Sequence, residues 1–213
     1  MSKIFGYGED AFTFWALKNQ TAHILEQFQD QTAPSDCLIF YRPSFGRHSK
    51  ENASVFGEFD AILVSLENIY LIESKWDNLT KFNNDEFTLR EEQTLRHRIF
   101  SWYLTHWNQR YYKNWANFVI EQQLEFKFQG KTIAPSGSLL ATNLELILNE
   151  TLRYCKQITP NNIKNVMLFF YNKEKSSPPF KTSKEFTLIP IESAKRYKAT
   201  LSHYLHNKTL SFK

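Results

Sequence analysis

Cysteine is scarce. The 213 residues contain two, Cys37 and Cys155. They have no metal-ligand spacing and make no paired framework, so neither a zinc-binding class nor a disulfide-stapled scaffold fits, and two reduced thiols are expected. Long apolar runs are also missing. The longest strongly apolar stretch, residues 166–171, is far below the roughly 20 residues a bilayer span needs. The opening residues MSKIFGYGEDAF hold no apolar core of signal-peptide length. A soluble, cytoplasmic protein is expected. No Ser-His-Asp or Cys-His constellation stands out. Gly130-Lys131-Thr132 has the ending of a phosphate-binding loop, but Glu125 stands where the earlier glycine belongs, which excludes it. His203 and His206 lie three apart with no further ligand nearby and read as a surface helix. There is no internal repeat, no low-complexity tract and no dividing linker.

What is present is an apolar content of 42%, enough for a core, and an aromatic content of 16% dominated by 19 Phe. Such a core is bulky. The net charge of +4 is compatible with a nucleic-acid partner. The length fits one domain with an elaborated second half.

Helical spacing of Phe14, Leu17, Thr21, Ile24, Leu25 and Phe28 predicts a helix over 9–29, with Glu9 and Asp10 in its first turn. Short apolar runs predict strands over 37–41, 56–66, 69–76, 165–171 and 186–191. Residues 89–123 read as one or two helices, 138–156 as another, and 192–206 as a closing helix. Residues 42–54, 130–137 and 173–184 read as loops. The two strands joined near Glu67-Asn68 are close enough to form an antiparallel hairpin. The expected fold is α/β, a central mixed sheet flanked by helices.

The chemistry concentrates in GEFDAILVSLENIYLIESKWD, residues 57–77. Asp60 enters one apolar run, and Glu73-Ser74-Lys75 closes the next. Strand side chains alternate, so Glu73 and Lys75 point one way and Ser74 the other. A turn centred on Glu67-Asn68 pairs Asp60 with Lys75 and leaves Glu73 one face-step away. Two carboxylates there suit Mg²⁺ or Mn²⁺ through hard oxygen ligands, with the Ser74 carbonyl as a further oxygen. A metal-bound water and a nearby lysine suit phosphodiester cleavage.

These residues resemble the PD-(D/E)XK nuclease superfamily, of restriction-endonuclease-like fold. Gly57-Glu58-Phe59-Asp60 and Ile72-Glu73-Ser74-Lys75 carry the resemblance, with Phe59 where a proline often precedes the aspartate. Gly8-Glu9-Asp10-Ala11 is similar, one residue shorter, to the Gly-Glu-x-x-Ala helix start of small bacterial Holliday-junction-resolvase-like proteins. The resemblance covers residues 8–105 and leaves 110–213 unmatched. It implies a nuclease acting on DNA, with Asp60 and Glu73 as metal ligands and Lys75 assisting the water. It also implies an early helical acid, Glu9 with Glu26 as its rival, and a helix residue near the site, Gln93. Members often work as dimers, so a homodimer is possible. The same motifs fit an RNA-directed nuclease, or an inactive nucleic-acid-binding or scaffold protein of this fold.

Further signals are less specific. The loop with Arg42, Arg47, His48 and Lys50 suits a phosphate backbone or plain solvation. Arg96, His97 and Arg98 offer phosphate contacts or a solvated helix face. The aromatics of 96–115 read as helical core rather than base-stacking surface.

Overall fold

The computed structural model describes residues 4–43, 45, 57–76, 86–87, 89–108, 111–128, 130–173, 177–179, 181–192 and 209–212. Arg47 and Lys50 lie outside the described residues, as do residues 193–206 of the expected closing helix. Glu192 itself ends a strand.

Strand β1, Ile4–Tyr7, runs straight into helix α1, Gly8–Asn19, through Gly8 at a φ of +60°, a backbone shape natural to glycine. The single helix expected over 9–29 is two. Gln20 leaves helical geometry at φ −122° and ψ 11°, and α2 spans Thr21–Glu26. The Thr21 hydroxyl donates back to the Leu17 carbonyl across this break. The buried stripe is accordingly Ala11, Phe12, Ala16, Leu17, Ile24 and Leu25, with Phe14 only half-buried.

A short 3₁₀ turn, Pro34–Asp36, precedes β2, Leu38–Tyr41. Then come β3, Ala61–Val64, and β4, Ile69–Trp76. The two-residue β5, Glu86–Phe87, precedes α3, Glu91–His106. Helices α4, Trp115–Gln122, and α5, Leu139–Tyr154, follow, each opened by a side-chain cap, from Asn114 and Ser138. Next are β6, Ile163–Tyr171, β7, Lys181–Thr182, β8, Thr187–Glu192, and β9, Thr209–Phe212.

The main sheet has the order β2-β3-β4-β6-β8. Strands β2, β3 and β4 form an antiparallel meander, and β6 and β8 run parallel to β4. A parallel return needs a crossover, and α3 to α5 lie within the one from β4 to β6. The last strand in the order, β8, carries Pro190 opposite Phe169. The expected α/β class with a mixed sheet is observed. Two small pairings, β1 with β9 and β5 with β7, were not foreseen.

Helices cover both faces of the sheet, which is why β3 and β4 read as unbroken apolar runs. Ile62, Val64, Ile69 and Leu71 pack with residues of α3, α4 and α5. Ala61, Leu63, Tyr70 and Ile72 pack with α1 and α2. Trp102, Tyr103, Trp107, Tyr112, Trp115 and Phe118 interlock ring on ring. These aromatics serve the core, whereas Tyr111, expected there with them, is exposed. Among the described residues, no helix is long and apolar enough to cross a membrane.

The β3–β4 turn corrects one expectation. Val64 pairs with Ile69 and Ala61 with Ile72, so the turn spans four residues and centres between Leu66 and Glu67. Ser65 N–H donates to the Asn68 carbonyl at 2.9 Å. The Ser65 hydroxyl accepts from the N–H groups of Asn68 and Glu67 at 2.8 and 3.2 Å. Continued past Ala61, this register sets Asp60 opposite Glu73 rather than Lys75. Opposite residues of an antiparallel pair share a face, so the shift brings the two carboxylates together.

Candidate active site at the end of strand β4

Glu73 is a carboxylate only 2% exposed. Burial of a charge is tolerated only with charged or hydrogen-bonded partners, and α3 supplies three. Gln93 Nε2 donates to Oε2 at 2.7 Å, Arg96 Nη1 donates to Oε1 at 3.1 Å, and His97 Nε2 lies 3.3 Å from Oε1. Positions 93, 96 and 97 fall on one helix face. His97 is wholly buried, edge-on to the rings of Phe59 and Phe186. Its Nδ1 meets the Asn165 side chain on β6 at 2.8 Å. Burial by itself pushes the Glu73 carboxyl up, but the His97 hydrogen bond and the charges of His97, Arg96 and Lys75 outweigh it and hold it below its ordinary value.

Asp60 sits differently. Its Oδ2 accepts the Ser74 N–H at 2.7 Å. Among the described residues no other donor reaches it, and no cation pairs with it. Burial, and then the negative charge of Glu73, push its carboxyl up to about 7. Arg42 N–H also donates to the Asp60 carbonyl at 3.1 Å and steadies the approach to β3.

Lys75 reaches round the strand end. Its Nζ donates to Glu9 Oε1 at 3.2 Å and to the Ser74 carbonyl at 2.6 Å. The other oxygen of Glu9 accepts the Trp76 N–H at 3.0 Å. Glu9, at the first turn of α1, therefore fixes both the lysine and the backbone beside it. Its rival Glu26 stands exposed near His23 and takes no part in these contacts.

Among the described residues, the basic candidates Arg42, Arg96 and Arg98 are engaged by acids. The Arg42 side chain ion-pairs with Asp10 and, at 3.0 Å, with Glu58. Its backbone has a φ of +47°. Tyr41 beside it donates its hydroxyl to the Asp10 carbonyl at 2.8 Å. Arg98 pairs with Glu185. Arg96 turns inward to Glu73.

Sequence reasoning placed Glu9, Asp60, Glu73, Ser74, Lys75 and Gln93 as candidates, and the fold brings all six together. Asn165 is not among those candidates, and His97, read as a phosphate contact or part of a solvated helix face, is instead buried against Glu73. The spacing of His97 from Gln93, one helical turn, was the available signal. An amide immediately ahead of the apolar run of β6 was the other.

Among the described residues, no three His, Cys, Asp or Glu side chains are arranged to hold a metal ion. Glu73 faces α3, and Glu9 faces Lys75. Comparison of the chain with protein-family models, with curated proteins and with solved structures finds no match.

Proposed function

We propose that this chain is a divalent-metal-dependent nuclease that hydrolyses phosphodiester bonds in DNA, of the PD-(D/E)XK type that its motifs resemble. One observation carries the reading. Glu9, Asp60, Glu73 and Lys75 come from three separate segments and meet around the peptide units of Ser74 and Trp76.

The donor set fits a hard cation such as Mg²⁺ or Mn²⁺. Every available donor is oxygen, and Asp60 is a poorly compensated carboxylate beside a second one, which is the electrostatic condition that favours a cation. Asp60, Glu73 and the Ser74 carbonyl would hold it. When bound, the cation supplies a water of lowered pKa and offsets charge on the phosphate.

The chain's own residues do the positioning. The Ser74 N–H fixes one oxygen of Asp60 and leaves the other open. Gln93 and His97 set the orientation of Glu73. Lys75, aimed by Glu9, offers an ammonium to the attacking water or to the negative charge that develops on the phosphate. Glu9→Gln keeps an oxygen for the Trp76 N–H and removes the charge partner of Lys75. The expected loss of cleavage rate is about 10- to 100-fold, by analogy with residues that orient a ligand. The expected cost in unfolding free energy is under about 1 kcal/mol. Single-turnover cleavage and denaturant unfolding check the two parts.

A second reading, an inactive nucleic-acid-binding or scaffold protein, draws on one observation: both oxygens of Glu73 already have protein partners. A cleavage panel decides between them. Labelled duplex, single-stranded, flapped and four-way-junction DNA, and RNA, are incubated with Mg²⁺ or Mn²⁺. The nuclease reading expects DNA cleavage that EDTA and Lys75→Ala remove. Cleavage of RNA alone would redirect the substrate. No cleavage, together with no carboxylate-dependent Mn²⁺ binding, would leave the scaffold reading.

A further inference from the structure

Arg96 is seated in a way the nuclease reading does not use. Its side chain is 14% exposed. The guanidinium makes one bond to Glu73, through Nη1, because Gln93 holds the second oxygen. A guanidinium opposite a carboxylate usually makes two. Its Nε is buried without a hydrogen-bond partner among the described residues, an uncommon state for a charged donor. The seat is formed by the segment that leads into Asp60. The Phe59 ring lies 5.6 Å from the guanidinium carbon. Gly57, at a φ of +83°, brings bare backbone so close that a Cβ there would stand 3.0 Å from Nε and 3.1 Å from Cζ. The cradle thus fits this cation closely and satisfies it incompletely.

Glu73 needs a positive partner while it is buried, and Gln93 and His97 remain to orient it if Arg96 departs. A divalent cation between Asp60 and Glu73 would neutralise both acids, make Arg96 redundant and repel it.

We propose that Arg96 is a displaceable counter-ion. It neutralises Glu73 in the metal-free protein, yields that carboxylate to an incoming divalent cation, and turns its freed guanidinium to a phosphate oxygen of the nucleic acid. This rests on the nuclease reading. Metal and nucleic acid then bind cooperatively, because each favours the displaced arginine, and the coupling is reciprocal.

The test uses the full chain. Mn²⁺ is titrated calorimetrically without nucleic acid into wild type and Arg96→Gln. A labelled DNA duplex is then bound in Ca²⁺ and in EDTA. The variant is expected to bind Mn²⁺ about tenfold tighter, within the usual range of such couplings. Wild type is expected to bind duplex about tenfold better in Ca²⁺ than in EDTA, and the variant to lose that advantage. Unchanged or weaker Mn²⁺ affinity in the variant overturns the proposal, as does a Ca²⁺ advantage that survives the substitution. If Arg96→Gln does not fold, the Arg96 Nε–H resonance of the wild type is followed during Mg²⁺ titration. A resonance unmoved at saturation overturns the proposal. Absence of Mn²⁺ binding in both proteins overturns the nuclease reading with it, whereas binding without tightening overturns the counter-ion alone.

Discussion

Asp60→Asn is expected to cut cleavage by about a thousandfold or more and to raise the stability of the metal-free protein. The first effect follows from removing the one carboxylate with an oxygen left open for a cation or a water, at a centre that must stabilise developing charge. The second follows from burial. Asparagine keeps an oxygen for the Ser74 N–H and carries no charge beside Glu73. The folded carboxyl of Asp60 titrates at about 7, against 3.8 for an unperturbed aspartate. A raised folded value contributes stability that is complete below about pH 4 and is lost as pH rises through about 7. The wild type should therefore lag its variant little at pH 4 and by about 2 kcal/mol or more at pH 8. Denaturant unfolding in EDTA across that interval, with a cleavage assay alongside, measures both. Retained cleavage, or equal stability at pH 8, would refute the role given to this residue.

The second large effect is expected at the opposite end of the same hairpin. Asp30, 6% exposed, follows α2 and gathers the β3–β4 turn around one carboxylate. Its Oδ2 accepts from Ser65 Oγ at 2.5 Å, Asn68 Nδ2 at 2.9 Å and the Tyr70 hydroxyl at 2.7 Å. Its Oδ1 accepts the Thr32 N–H at 2.9 Å. Burial pushes this carboxyl up, but the hydrogen bonds from Asn68, Ser65, Thr32 and Tyr70 outweigh it and hold it at about 2. A depressed folded value contributes stability that is complete above about pH 4 and disappears as pH falls through about 2. The ionised carboxylate is worth about 2 kcal/mol. Asp30→Ala should cost about 3 kcal/mol or more, because it also strands the buried Tyr70 hydroxyl and unties Ser65 and Asn68. Its unfolding should lose the acid sensitivity that this group confers. Cleavage per folded molecule should stay within about twofold, since the turn and the Asp60–Glu73 pair occupy opposite ends of β3 and β4. Loss of activity at full folding would show that the hairpin is not the rigid spacer this geometry makes it.

These two carboxylates also mark what sequence could and could not tell. Strand β4 was legible to its last residue, because an apolar run closed by Glu73-Ser74-Lys75 has few other readings. The α5 boundary was legible because Ser138 caps it. The register was not. It depends on a serine hydroxyl closing a four-residue turn and on Asp30, which is 35 positions from Ser65. The break at Gln20 was hidden because apolar spacing continues across it. Arg96-His97-Arg98 read as a charged helix face, since only the buried charge of Glu73 makes Gln93, Arg96 and His97 turn inward, and that is a tertiary fact. The pairing of Ile4 with Phe212 joins residues too far apart for any local pattern to reveal.

Pro190 has a consequence for assembly. The ladder to β6 passes through the Phe169–Pro190 pair without a gap, so the donor that proline lacks is one that would have pointed away from the sheet. A neighbouring backbone approaching β8 would find a missing rung at the middle of the strand. Two copies of this chain would not zip edge to edge along β8 into one continuous sheet, and strand-addition aggregation is blunted on that side. A homodimer, if the chain forms one, would set its two-fold axis elsewhere.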